Sequence, residues 1–219
     1  MSDRRQQYLE AMGIPAFVLR DGRAEEASVA SGVPPDWREL AEAVRQCTKC
    51  GLHSGRTQTV FGVGRCDADL LIIGEAPGAE EDRVGEPFVG RAGQLLNAML
   101  RTIRLDRGDV YIANILKCRP PGNRDPSPEE AKACTPYLQR QIGLIRPKVI
   151  LALGRVAAQW LLQSDTPIGR LRGRVLGFGD PEIPLVVSYH PAYLLRSPLA
   201  KAKAWEDLTL VRHVLQAQR

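Results

Sequence analysis

The chain has 219 residues, of which 44% are hydrophobic and 25% charged, the size and composition of one water-soluble domain carrying an appendage. No apolar run approaches the length of a membrane span and the start Met1-Ser-Asp-Arg-Arg-Gln-Gln-Tyr8 lacks the apolar core of a secretory signal, so the expectation is a cytoplasmic protein with no membrane partner. Net charge is +5, but residues 117–219 carry 16 basic and 8 acidic groups against 4 and 5 in residues 1–35 and 10 and 12 in residues 36–116, and a basic excess confined to one region is the footprint of a polyanion such as nucleic acid.

Residues 1–35 read as an N-terminal appendage whose small-residue stretch closes in Pro34-Pro35, a linker signal. The main domain is expected over residues 36–219. Asp36 is placed to cap a helix with Trp37, Leu40, Ala41 and Val44 on one face, and that helix runs into Cys47-Thr-Lys-Cys50. A first strand at 69–74 stops at Gly74, followed by Glu75-Ala-Pro-Gly78 and the acids Glu80, Glu81 and Asp82. A buried strand ending in a Gly/Pro turn puts its next residues at the carboxyl edge of a sheet, where open α/β folds keep their ligand sites.

Gly85-Glu-Pro-Phe-Val-Gly90 then presents Phe88 in a loop before a helix carrying Leu95, Leu96, Met99 and Leu100. Val110–Leu116 reads as a second strand with polar Asn114 inside an apolar run, and Cys118–Pro126 as a loop. Ser127-Pro-Glu-Glu130 opens a helix with a hydroxyl cap, Pro at its first position and a capping-box Glu; Pro136 inside it predicts a bend. Val149–Leu153 is the third strand, residues 169–180 form a hairpin-like insert, and Leu185–Tyr189 is the fourth strand, ending at His190-Pro-Ala-Tyr-Leu-Leu-Arg196. A last amphipathic helix carries Trp205, Leu208, Leu210, Val211, Val214 and Leu215. Four apolar strands separated by helices predict an α/β fold, a three-layer αβα sandwich around a four-stranded, mostly parallel sheet.

Five cysteines in a chain without a secretory signal point to metal or redox chemistry rather than disulfides. Cys47 and Cys50 stand three apart, Cys118 lies 68 residues further on and Cys134 another 16; two separated pairs of thiolates can close a zinc site or hold a [4Fe–4S] cluster, and spacing does not separate these. Cys66 reads as a free thiol.

Gly74-Glu-Ala-Pro-Gly78, Gly85-Glu-Pro-Phe-Val-Gly-Arg-Ala-Gly93, Asn114-Ile-Leu-Lys-Cys-Arg-Pro-Pro121 and His190-Pro-Ala-Tyr-Leu-Leu-Arg196, in this order, resemble family 4 uracil-DNA glycosylases over residues 37–215. The resemblance implies a monofunctional N-glycosidic hydrolase that flips uracil out of single- or double-stranded DNA and leaves an abasic site, with Cys47, Cys50, Cys118 and Cys134 as ligands of a [4Fe–4S] cluster. It places Gly74, Glu75, Ala76, Phe88, Asn114 and His190 in the base pocket, with Phe88 stacking on uracil, Asn114 pairing with its Watson–Crick edge and His190 facing O2. Glu75 and Glu81 fall on acidic positions of that pocket. In family 1 enzymes an Asp follows the residue matching Glu75 and orients the water; here Ala76 stands there, as is usual in family 4.

The chemistry suits these residue types. An amide can read uracil O4 and N3–H together, a neutral imidazole can donate to O2 as the uracil anion forms, and a carboxylate can favour the sugar cation or position water. Glu75, nearest the strand end, is the preferred carboxylate, and Glu81 the acid most easily read as merely solvated. Leu194 and Leu195 beside Arg196 are expected to act as a wedge in the duplex, with Arg119, Arg124, Lys201 and Lys203 as phosphate contacts. A monomer is expected. The rival reading is a metal-stabilised protein that grips uracil-containing DNA without turnover.

Overall fold

The computed structural model describes residues 36–218, so the appendage and linker expected over residues 1–35 lie outside the described residues. Asp36 caps α1 (Trp37–Arg45), its carboxylate accepting from the Glu39 N–H at 2.9 Å while Leu40 and Val44 bury one face. Strands β1 (Val63–Gly64) and β2 (Leu70–Gly74) precede α2 (Ala79–Val84), α3 (Arg91–Thr102) and β3 (Tyr111–Asn114). Next comes α4 (Pro128–Ile145), opened by the expected capping box: Glu130 N donates to Ser127 Oγ at 3.3 Å and Ser127 N to the Glu130 carboxylate at 2.9 Å. It runs on as one helix through Pro136. Then follow β4 (Val149–Leu153), α5 (Arg155–Leu162), α6 (Ile168–Leu171), β5 (Val175–Phe178), β6 (Ile183–Ser188), α7 (Pro191–Arg196) and α8 (Lys201–Ala217).

The sheet has six strands in the order β1-β3-β2-β4-β6-β5, rather than the four expected. The four inner strands are the expected ones and are all parallel; β1 and β5 are antiparallel edges. Neither edge has a strong sequence signal. β1 spans two residues, and β5 alternates exposed and half-buried positions within the stretch read as a hairpin-like insert.

Alternate residues of each inner strand face opposite layers, as the period of 2 requires. Leu71, Ile73, Ala113, Ile150, Ala152 and Val187 pack under α1, α4 and α5, while Leu70, Ile72, Ile112, Leu151 and Val186 pack under α3 and α8. Trp205 does not share this burial: α8 buries Ala204, Asp207, Leu208 and Val211, a stripe that leaves Trp205 on the outer side, 56% exposed. The chain leaves β2 toward the α3 layer and β4 toward the α5 layer. Neighbouring strands whose exits diverge in this way open a crevice beyond their carboxyl ends.

Candidate active site

At that edge Gly74 and Asn114 stand opposite each other as the last pair of β2 and β3. The Asn114 side chain is buried and its Oδ1 has no hydrogen-bond partner. Orphaned buried acceptors are rare and point to a missing partner. A Cβ on Gly74 would lie 2.7 Å from Phe88 Cζ and closer still to Asn114 Oδ1, so the glycine keeps open the space between amide and ring.

Phe88 itself is held in the left-handed region, at φ 54°, which a bulky residue adopts only under constraint. The constraint comes from both sides. Arg107 donates to the carbonyls of Pro87 and Phe88, the latter at 3.3 Å. The Glu81 carboxylate accepts from Val89 N at 3.0 Å and Gly90 N at 3.2 Å, and reaches back to Gly78 N at 3.2 Å. Glu81 is therefore not a solvated acid: both of its oxygens are engaged by backbone donors.

His190 caps α7, its Nδ1 accepting from Ala192 N at 3.2 Å, which leaves the proton of the neutral ring on Nε2. Burial, with Arg196 second, pulls its pKa down to about 4, so the ring is neutral at physiological pH. Its ring stacks near Phe88, centroids 5.4 Å apart. Glu75 is shifted the opposite way. Burial first and the Asp125 carboxylate second push it up to about 7, against the pull of Arg155.

Glu75, Ala76, Glu81, Phe88, Asn114 and His190 all line one cavity of about 470 Å³, with Arg196, Tyr193, Arg124 and Asp125 also on its wall. Gly74 lies immediately behind it. The expected wedge divides. Leu194 is 1% exposed because the first turn of α7 turns it into the core beneath α3 and α8, so it is not available to DNA. Leu195 is 37% and Tyr193 40% exposed. Arg119 is engaged with Asn123 at 2.8 Å and Arg124 with Glu130 at 2.6 Å, while Lys201 and Lys203 are exposed on the first turn of α8.

Asp125 and Arg107 escaped the sequence reading. Asp125 precedes Pro126 in a loop and its partner Arg155 lies 30 residues away; Arg107 belongs to a short 3-10 turn. No local pattern marks either.

A second small cavity brings together all four expected cysteines, Cys47, Cys50, Cys118 and Cys134. Cys118 Sγ accepts from Arg56 Nη1 at 3.2 Å and Cys134 Sγ from Lys117 N at 3.4 Å. Burial pushes the Cys134 thiol up to about 12, so a thiolate there requires compensating positive charge. Among the described residues no three His, Cys, Asp or Glu side chains converge closely enough to hold a single metal ion. Cys66 lies apart and exposed.

The model of the uracil DNA glycosylase superfamily matches residues 61–209. The type-4 uracil-DNA glycosylase of Archaeoglobus fulgidus is 47% identical over 77% of this chain and 88% of its own length. That of Pyrobaculum aerophilum is 42% identical over 80% and 92%, and that of Thermotoga maritima 46% over 72% and 82%.

Proposed function

The chain belongs to the uracil-DNA glycosylase superfamily, and on that premise we propose that it is a DNA repair enzyme that flips uracil out of DNA and hydrolyses its N-glycosidic bond. The observation that carries the assignment to this cavity is the orphaned Oδ1 of Asn114. It faces the space that Gly74 keeps clear beneath Phe88, and it needs a donor of the kind uracil offers at N3–H. With Oδ1 accepting from N3–H, the amide nitrogen donates to O4. Cytosine presents the reverse pattern at both atoms and leaves two polar groups opposed.

In the reaction the C1′–N1 bond breaks with its electron pair on the base. Water oxygen bonds to C1′, and the water's proton passes to a carboxylate. Nε2–H of the neutral His190 donates to O2 as negative charge gathers there; a preorganised neutral donor suffices for that task. Glu75 holds the water and faces the developing sugar cation. Glu81, occupied by backbone N–H groups, serves the site by fixing the Phe88 loop. Tyr193 on the cavity wall and the exposed Leu195 on the same helix fill the place of the flipped nucleotide, and Arg196, Lys201 and Lys203 supply positive charge to the phosphates.

The four cysteines fit a [4Fe–4S] cluster: they share one cavity, and N–H donors from Arg56 and Lys117 already point at two of the sulfurs. Held by these residues, such a cluster would tie the segment after α1 to the loop after β3 and to α4.

A uracil-containing oligonucleotide treated with the protein and then with alkali will break at uracil. Asn114→Ala and His190→Ala will abolish the break while leaving DNA binding in place. Binding without breakage by the native protein would make it a uracil-DNA binder instead. Cluster occupancy is read separately, as a broad absorbance near 400 nm, on general grounds for such clusters, that Cys118→Ala removes.

A further inference from the structure

Asp125, in the loop between β3 and α4, and Arg155, at the start of α5 beyond β4, form a close ion pair, Nη2 to Oδ2 at 2.6 Å. Asp125 lines the cavity that holds Glu75, and both partners line the neighbouring groove along α5, so the pair forms the wall between the two. Its position is fixed by more than the pair. Arg124 donates to the Asp125 carbonyl at 3.0 Å while bound through two nitrogens to Glu130, the capping residue of α4. Arg155 is the first residue of α5 and also meets Gln159 Oε1 at 3.3 Å. Both side chains of the pair are more than half exposed, and exposed pairs contribute little to stability. Stability alone does not explain why a tethered charge pair stands beside the preferred catalytic carboxylate.

We propose that Asp125 and Arg155 are positioning residues that together set the charge on Glu75, and so the pH range over which Glu75 can hold the attacking water. This rests on the glycosylase reading above. Of the carboxylates on the cavity wall, Glu81 is taken up by backbone N–H groups and Asp125 by Arg155, which leaves the water to Glu75. To accept a hydrogen bond from water and then its proton, Glu75 must be ionised. Burial opposes that, Asp125 opposes it further, and Arg155 favours it. Of the other charged groups on the cavity wall, Glu81 is engaged by backbone N–H groups at the start of α2 and in the Phe88 loop and Arg124 by Glu130, while Arg196 stands on α7 beside His190. Asp125 and Arg155 are thus the two surface charges whose balance reaches Glu75.

The test is the pH dependence of single-turnover uracil release from a single-stranded oligonucleotide, where no duplex must be opened. The native enzyme will show an acidic limb that Glu75→Gln removes. Asp125→Asn will move that limb to lower pH and Arg155→Gln to higher pH, each by roughly half a unit or more. The double variant will return it toward the native position. A merely structural role predicts losses of the same sign in both single variants. Shifts in one common direction, or a limb that stays fixed in both, would overturn the proposal. Titration of the Glu75 carboxyl carbon by NMR in the same variants reads the opposed shifts without turnover, so failure of the glycosylase reading is told apart from failure of this one.

Discussion

The buried ammonium of Lys117 donates to the main-chain carbonyl of Asn114 at 2.9 Å. The residue next to Cys118 therefore also holds the strand end that presents the Asn114 amide, and Lys117 N faces Cys134 Sγ at 3.4 Å. One residue thus ties the cysteine site, through its backbone N–H, to the strand end at the cavity, through its ammonium. Lys117 Nζ meets Gln141 Oε1 at 2.6 Å as well, and Gln141 carries the connection on to Phe61 and Tyr111.

Lys117→Met will destabilise the domain. Two buried acceptors lose their donor, at about 1–3 kcal/mol each. Relief from burying an ammonium, whose pKa burial pulls down to about 8, offsets part of this. The expected net loss is about 2 kcal/mol, read as a lower denaturant midpoint with unchanged slope. Uracil release at a temperature where the variant is fully folded will also fall.

Gly74→Ala will fold, since the glycine lies in ordinary extended backbone at a strand end and its obstruction is confined to the cavity side. The new methyl meets the amide of Asn114 and the ring of Phe88. Turnover is expected to drop by roughly 100-fold or more, the scale seen when one site group is misplaced. A near-native circular dichroism spectrum, a melting temperature lowered by overpacking of about 1–3 kcal/mol against the buried Asn114 and Phe88, and normal binding to abasic DNA complete the expectation.

His190 will show no titration near pH 6.5. Its folded pKa, about 4, lies below the ordinary value, so its neutral form is favoured by the fold; that contribution is complete above pH 6.5 and is lost as pH falls through about 4. Nitrogen NMR of the ring between pH 5 and pH 8 will report a neutral imidazole protonated at Nε2. An imidazolium at pH 6 would rule out the neutral-donor role.

Leu194→Ala and Leu195→Ala will part company. Truncation of the core residue Leu194 is expected to cost about 2–5 kcal/mol of stability and to affect duplex and single-stranded substrates alike. Leu195→Ala will leave the melting temperature nearly unchanged and slow uracil release from duplex more than from single strands. Equal losses on both substrates would remove Leu195 from the wedge.

The four inner strands, the caps at Asp36 and Ser127 and the grouping of four cysteines were legible because each leaves a local mark: an apolar run closed by Gly, a capping residue at fixed spacing, or a thiol beside a strand end. The edge strands were not, because β1 is too short and β5 too exposed to carry a pattern. Leu194 and Leu195 are indistinguishable by type, and only the seating of α7 sends one inward. Glu81 looked solvated because its partners at 89 and 90 are backbone N–H groups, which no sequence advertises. Asp125 and Arg155 meet across 30 residues because the loop after β3 and the helix after β4 both pass to the same layer of the sandwich, a property of topology.

The loop bearing Phe88 is gripped at its carbonyls by Arg107 and at its N–H groups by Glu81, and a Cβ on Gly93 would run into the Phe88 carbonyl. The platform is thus cast before any DNA arrives. A mould that needs no rearrangement to accept the base needs none to take it back once it is cut loose. Free uracil will therefore compete with substrate for the same cavity, read as competitive inhibition of uracil release.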